Sequence, residues 1–127
     1  MLKTGILNPQ INSLLGRVRH TNTLVIADRG FPFWPQLETI DLSLVDDIPT
    51  VLDVLKAVCA NFIVGRVWMA SEFREGVSAK TLNAYSMLLP PIEFEEHIQL
   101  KRRVPSAIGL IRTADTLPYS NVILESA

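Results

Sequence analysis

The chain has 127 residues, with 12 lysines and arginines against 13 aspartates and glutamates, for a formal charge of -1. A length just below the roughly 150-residue domain prior makes residues 1–127 one expected folding unit and excludes two catalytic domains around a cleft. With 48% hydrophobic and 20% charged residues, the composition is that of a chain that buries a core, which excludes disorder.

Ile11, Leu14, Leu15 and Val18 recur at helical spacing, so residues 9–19 read as an amphipathic helix with Asn8 as cap and Pro9 at its first position. His20 falls just past its end. Thr23-Leu24-Val25-Ile26-Ala27 is a continuous β-prone run bounded by Asp28 and Gly30, the pattern of a strand covered on both faces. Residues 29–37 carry Gly30, Pro32 and Pro35 among Phe31, Phe33 and Trp34, and prolines at that density exclude a central strand or helix interior. This segment is expected to be an ordered aromatic loop packed on its own domain or on a neighbouring subunit.

A short strand at 38–42 follows. Pro49 then opens a helix whose apolar positions are Val51, Val54, Leu55, Val58 and Phe62. Ile63 to Ala70 repeats the buried-strand signature, and 78–89 reads as a helix that Pro90-Pro91 must end. Residues 92–95 are expected as a strand, 96–104 as a helix, and 108–111 and 122–124 as two closing strands. Such alternation predicts a three-layer α/β sandwich with a largely parallel open sheet, whose ligand sites lie beyond the carboxyl ends of the strands.

The longest apolar runs are four residues, against about twenty for a membrane span. Pro9 arrives before any signal-type apolar region, which argues against export. The lone Cys59 has no intrachain partner and suits a reducing, cytoplasmic compartment. A charge near zero lacks the basic field of nucleic-acid binders, and Lys101-Arg102-Arg103 reads as a solvated helix face. One cysteine and two separated histidines make no zinc pattern, and no phosphate loop or GxSxG elbow is present.

The chemistry-bearing candidates sit at element boundaries. His20 precedes the first strand and Asp28 follows it, about 17 Å apart along a five-residue strand. The plain alternatives are a capping histidine and a turn aspartate. His97 and Lys101, four apart, share one face of the expected helix and can reach a common ligand. Pro118 stiffens a turn offering Tyr119, Ser120 and Asn121, groups that hydrogen-bond in both directions as polyhydroxyl ligands require.

Taken in order, His20-Thr21-Asn22-Thr23-Leu24-Val25, Asp28-Arg29-Gly30-Phe31-Pro32, His97 with Lys101, and Pro118-Tyr119-Ser120-Asn121-Val122-Ile123-Leu124 resemble the ribose pyranase and fucose mutarotase family nearly end to end. Ile40-Asp41-Leu42, Ile48-Pro49-Thr50 and Val54-Leu55 resemble its strand and helix after the aspartate loop. The resemblance implies a cofactor-free isomerase that opens and recloses a free monosaccharide such as ribose. It implies His20 as proton donor or acceptor, and Asp28, His97, Lys101, Tyr119 and Asn121 as holders of the sugar hydroxyls. It also implies a homo-oligomeric ring, such as a decamer, with the cleft at a subunit boundary, which would ease the separation of His20 from Asp28. No metal, nucleic acid or membrane enters that picture.

The chain departs from the family pattern in three places. Arg19 stands where a glycine is usual and Asn22 where an aspartate is; Arg112-Thr113-Ala114-Asp115 replaces an arginine-hydroxyl-glycine-glutamate segment; and Glu125-Ser126-Ala127 replaces a glycine-containing tail. Asn22 can orient an imidazole but supplies no charge. The alternative reading is therefore a non-catalytic sugar or sugar-phosphate binding module, and a third is a purely structural ring-forming subunit.

Overall fold

A computed structural model describes residues 1–127. In chain order its elements are α1 (Pro9–Arg17), β1 (Thr23–Ala27), β2 (Thr39–Asp41), α2 (Val51–Cys59), β3 (Val64–Ala70), α3 (Ser71–Gly76), α4 (Ala79–Leu88), β4 (Ile92–Glu95), α5 (His97–Arg103), a 3₁₀ turn (Val104–Ser106), β5 (Gly109–Arg112) and β6 (Val122–Ser126). The strands form one sheet in the order β2-β5-β1-β6-β3-β4. β6 runs antiparallel to both its neighbours, β1 and β3, and the other five strands run parallel to one another. No helix is long and apolar enough to cross a membrane.

The alternation of side chains along β1 builds both layers. Leu24 and Ile26 face a core completed by Ile11 and Leu14 of α1, Val51, Val54, Leu55 and Val58 of α2, Phe73 of α3 and Tyr85 of α4. Val25 and Ala27 face a second core made by Leu100 of α5, Val104, Ala107, and Phe31 and Leu37 of the aromatic loop. That loop stands in for a helix on its side of the sheet. Its Phe31 is buried and tilted against Trp34 at 6.4 Å, and Arg112 holds it by donating to the carbonyls of Asp28, Arg29 and Pro32.

Caps set the helix starts. Asn8 accepts from the Ile11 N–H at 2.9 Å, and Thr50 and Asp53 form a reciprocal capping box. The box places Pro49 ahead of α2 instead of inside it. α1 ends at Arg17, two residues earlier than its periodicity predicts, because Val18 is extended and Asn22 Oδ1 captures the Arg19 N–H at 2.9 Å. The helix α3 has no forecast in the sequence: its six residues bury one side chain, Phe73, too few to make a periodic signal. The expected strand at 63–70 is buried over its second half, Val67–Ala70, while Ile63, Gly65 and Arg66 are exposed.

Gly109 in β5 lies against fully buried Leu14, where a Cβ would meet Cδ1 at 2.7 Å and Cδ2 at 2.9 Å. Gly109→Ala is expected to lower stability by about 1–3 kcal/mol through overpacking. In that background Leu14→Ala should cost less than the roughly 2–5 kcal/mol typical of a buried leucine, because it clears the clash. Urea denaturation of the four proteins in the double-mutant cycle measures both effects.

Candidate functional site

Parallel strands bring their carboxyl ends to one edge, and the segments leaving that edge converge. β1 exits into Asp28–Pro32, β4 into His97, and β5 into Thr113–Asn121. Because β6 is antiparallel, its first residues return to the same edge. Between these segments lies a cavity of about 310 Å³, in the size range of small-ligand sites, lined by Asp28, Arg29, Gly30, Phe31, Pro32, His97, Asp115, Thr116, Leu117, Pro118, Tyr119 and Asn121.

The frame of the cavity is a set of hydrogen bonds across the sheet end. The Asp28 N–H donates to Asn121 Oδ1 at 2.8 Å, and Thr113 donates to the Ala27 carbonyl through both its N–H and its hydroxyl, each at 2.8 Å. Asp115 is buried and fully engaged. Its Oδ2 accepts from the Val51 N–H at the start of α2 at 2.9 Å, and its Oδ1 accepts from the Leu117 N–H at 2.8 Å. Asp47 braces the same wall from outside by accepting from the N–H and hydroxyl of Thr116. Tyr119 sits at φ 62, a left-handed backbone that costs an L-residue roughly 1–2 kcal/mol. Buried Ser120, donating to the Leu117 carbonyl at 2.9 Å, holds the turn in that shape, so the Ser120 hydroxyl serves the loop and not the cavity.

Two titratable groups in the cavity are displaced from their ordinary behaviour. Burial raises the Asp28 carboxyl and the Asp115 charge adds to the rise, against hydrogen bonds from Gly30, Asn121 and Phe31 that pull it down. Burial lowers the His97 imidazole and Lys101 lowers it further, opposed by Glu72 and Asp28. The balance favours the neutral form of His97. Its ring packs edge-on to Tyr119 at 5.0 Å and to Phe31 at 6.1 Å, and its buried Nδ1 has no partner within the chain. A buried ring nitrogen without a partner is a position that a ligand hydroxyl can satisfy.

Of the six candidates, Asp28, His97, Tyr119 and Asn121 line this cavity. Lys101 lies one helical turn beyond His97 in an adjoining groove with Pro32, Trp34, Ile98, Arg102 and Pro105, close enough to act on His97 through its charge. His20 is exposed at the opposite, amino edge of the sheet, in a turn where Thr21 has φ 65 and its N–H donates to the Ser126 carbonyl. Within one chain β1 separates it from Asp28. Asp115, which enters the sequence reading only as part of a departure from the family pattern, lines the cavity, and Glu72, which the sequence reading does not single out, contacts His97. Asp115 lies three residues past the end of β5, in the segment that leaves the carboxyl edge, whereas Glu72 gives no signal because its helix gives none.

The chain matches the RbsD / FucU transport protein family over residues 1–127. It is 37% identical over 133 residues to a D-ribose pyranase of Geobacillus thermodenitrificans, covering 99% of this chain and 96% of that one. It is 38% identical over 128 residues to a D-ribose pyranase of Lactobacillus acidophilus, covering 99% and 97%. Bacillus subtilis RbsD, whose structure was solved with D-ribose, superimposes with a TM-score of 0.92 at 31% identity, covering 100% of this chain and 98% of that one. The fucose mutarotase of Streptococcus pneumoniae, solved with L-fucose, shares the fold with a TM-score of 0.81 at 17% identity, covering 99% and 98%. With a match along its whole length and relatives above 30% identity, the chain belongs to the RbsD / FucU family.

Proposed function

We propose that the protein is a monosaccharide mutarotase that interconverts the pyranose and furanose forms, or the anomers, of a free sugar such as ribose by acid–base ring opening. The observation that carries this reading is the polar cavity at the carboxyl edge, where Asp28, His97, Tyr119 and Asn121 converge in a chain of the RbsD / FucU family. Ring opening needs one group to take the anomeric hydroxyl proton and another to give a proton to the ring oxygen as the carbon–oxygen bond breaks. Recyclisation returns both protons, so nothing is consumed and no cofactor is required.

In this reading Asn121 and Tyr119 hold sugar hydroxyls, Asp28 accepts from one, and His97 offers its unpartnered Nδ1 to another. His20 is the proton carrier, and it comes from a second copy of the chain, because its own β1 holds it at the far edge of the sheet. The homo-oligomer is thus part of the active unit, and the cleft forms where the amino edge of one copy meets the carboxyl edge of the next. Lys101 and the exposed groove around Trp34 adjoin the cavity on one side. The absence of a metal or membrane role and a cytoplasmic setting complete the reading. The alternative, a non-catalytic sugar or sugar-phosphate binding module, draws on Asn22 in place of an acid and on the basic run Lys101-Arg102-Arg103, and it would bind without exchange.

Magnetization-transfer NMR on ribose and fucose should show ring-form exchange accelerated by the protein. His20→Ala should lose on the order of 10²- to 10⁴-fold of that rate while calorimetry still shows sugar binding. No acceleration on any sugar, with binding intact, would favour the binding module. Mixing His20→Ala with Asp28→Asn subunits, the first slow in exchange and the second weak in binding, should raise exchange at low sugar above the sum of the two separate preparations only if one site draws on two copies.

Asp28→Asn separates function from stability. The carboxyl is raised in the folded chain, so its ionised form is disfavoured there relative to the unfolded chain. The asparagine variant, whose Oδ1 can still accept from the Gly30 N–H, should melt at an equal or higher temperature at pH 7 and bind sugar more weakly. The stability difference should shrink as pH falls through about 4 and vanish near pH 2 to 3, roughly one unit or more below the ordinary aspartate value, where the wild-type carboxyl is protonated in both states. Calorimetric melting across pH measures it, and a destabilised variant at pH 7 would contradict the argument.

A further inference from the structure

His97 is the first residue of α5, and its position depends on how that helix begins. Helices α1, α2 and α4 are capped by neighbouring Asn8, Thr50 and Ser78 side chains, but Glu96, at the cap position of α5, makes no side-chain cap. The cap comes from another element. Both carboxylate oxygens of Glu72, on α3, accept from the His97 N–H, at 3.0 and 3.1 Å. A negative charge at a helix N-terminus is a favourable, charge-assisted arrangement. Glu72 is itself held, because the next residue, Phe73, is fully buried and packs edge-on to Tyr85 at 5.0 Å.

We propose that Glu72 is a positioning residue for the sugar site: by capping α5 from α3 it fixes where His97 enters the cavity and how the imidazole meets Tyr119. It touches no substrate and acts only through His97. The inference uses the proposed activity for its sugar measurement alone; the placement of His97 stands apart from it. The groups that face the imidazole are Lys101 on its own helix, Glu72 on α3, Asp28 at the exit of β1, and Asp115 and Tyr119 on the connection to β6. Of these only Glu72 also holds the backbone of His97.

Two variants of the full-length protein test this. Glu72→Gln keeps an acceptor for the His97 N–H and removes the charge; Glu72→Ala removes both. In the sugar-free protein, NMR titration of the His97 ring should move to lower pH in both, since a group favouring the protonated ring is lost. For ribose exchange, Glu72→Ala should raise KM roughly fivefold, the effect of about one lost cap, with kcat nearly unchanged, and Glu72→Gln should restore most of the KM. A wild-type His97 titration in both variants, or an unchanged KM in folded Glu72→Ala, overturns the proposal. If the wild type exchanges no sugar, the activity reading fails, while the His97 backbone amide resonance, displaced in Glu72→Ala and kept near its wild-type position in Glu72→Gln, still decides whether Glu72 holds the start of α5.

Discussion

The hydrogen bond from the Asp28 N–H to Asn121 Oδ1 joins the end of the central strand β1 to the beginning of β6, and the cavity exists because that join is possible. It requires two strands that meet head to tail, which only an antiparallel neighbour supplies. Had β6 run parallel, Asn121 would lie at the amino edge beside His20. The inserted antiparallel strand therefore does two things at once. It closes the sheet between β1 and β3, and it brings the Tyr119-Ser120-Asn121 turn back over the exit of β1. Thr113 reinforces the join by binding the Ala27 carbonyl twice, and Asp115 extends it into α2.

Most of the fold was legible because its signals are local. The β1 run, the Asn8 cap before Pro9 and the Pro90-Pro91 stop each act within a few residues, and each lies where the sequence places it. The orientation of β6 is a different matter. Only Thr113–Asn121 separates it from β5, too short for the crossover of about a dozen or more residues that a parallel connection needs. That spacing makes β6 the strand that turns back within a largely parallel sheet. α3 left no trace at all, since one buried phenylalanine cannot set a period.

The site was legible in composition and only partly in assembly. Asp28, Tyr119 and Asn121 flank strands, so the rule that ligands gather at carboxyl edges finds them once the strands are known. His97 needed more, because its membership depends on a helix start set by Glu72, 25 residues away in sequence. Lys101, paired with His97 by helical spacing, faces the adjoining groove instead; four residues along a helix advance about 6 Å, enough to leave a small cavity. His20 shows the limit of reading one chain. Its distance from Asp28 follows from strand length alone, and so does the need for a second copy if both are to serve one sugar.

Asn22 illustrates how a departure from a family pattern can preserve geometry while changing electrostatics. Its Oδ1 accepts from the Arg19 N–H, its own N–H donates to the Arg19 carbonyl, and its carbonyl accepts from the Ser126 N–H. All three contacts shape the turn that presents His20, and an aspartate could make the same three, so the turn itself does not require a carboxylate. What the asparagine lacks is a negative charge two residues from the imidazole. In this chain the acidic groups instead gather at the other end of β1, where Asp28 and Asp115 share the cavity. The division follows the strand: its amino end carries an exposed imidazole, and its carboxyl end carries the acidic groups and hydrogen bonds that frame the cavity.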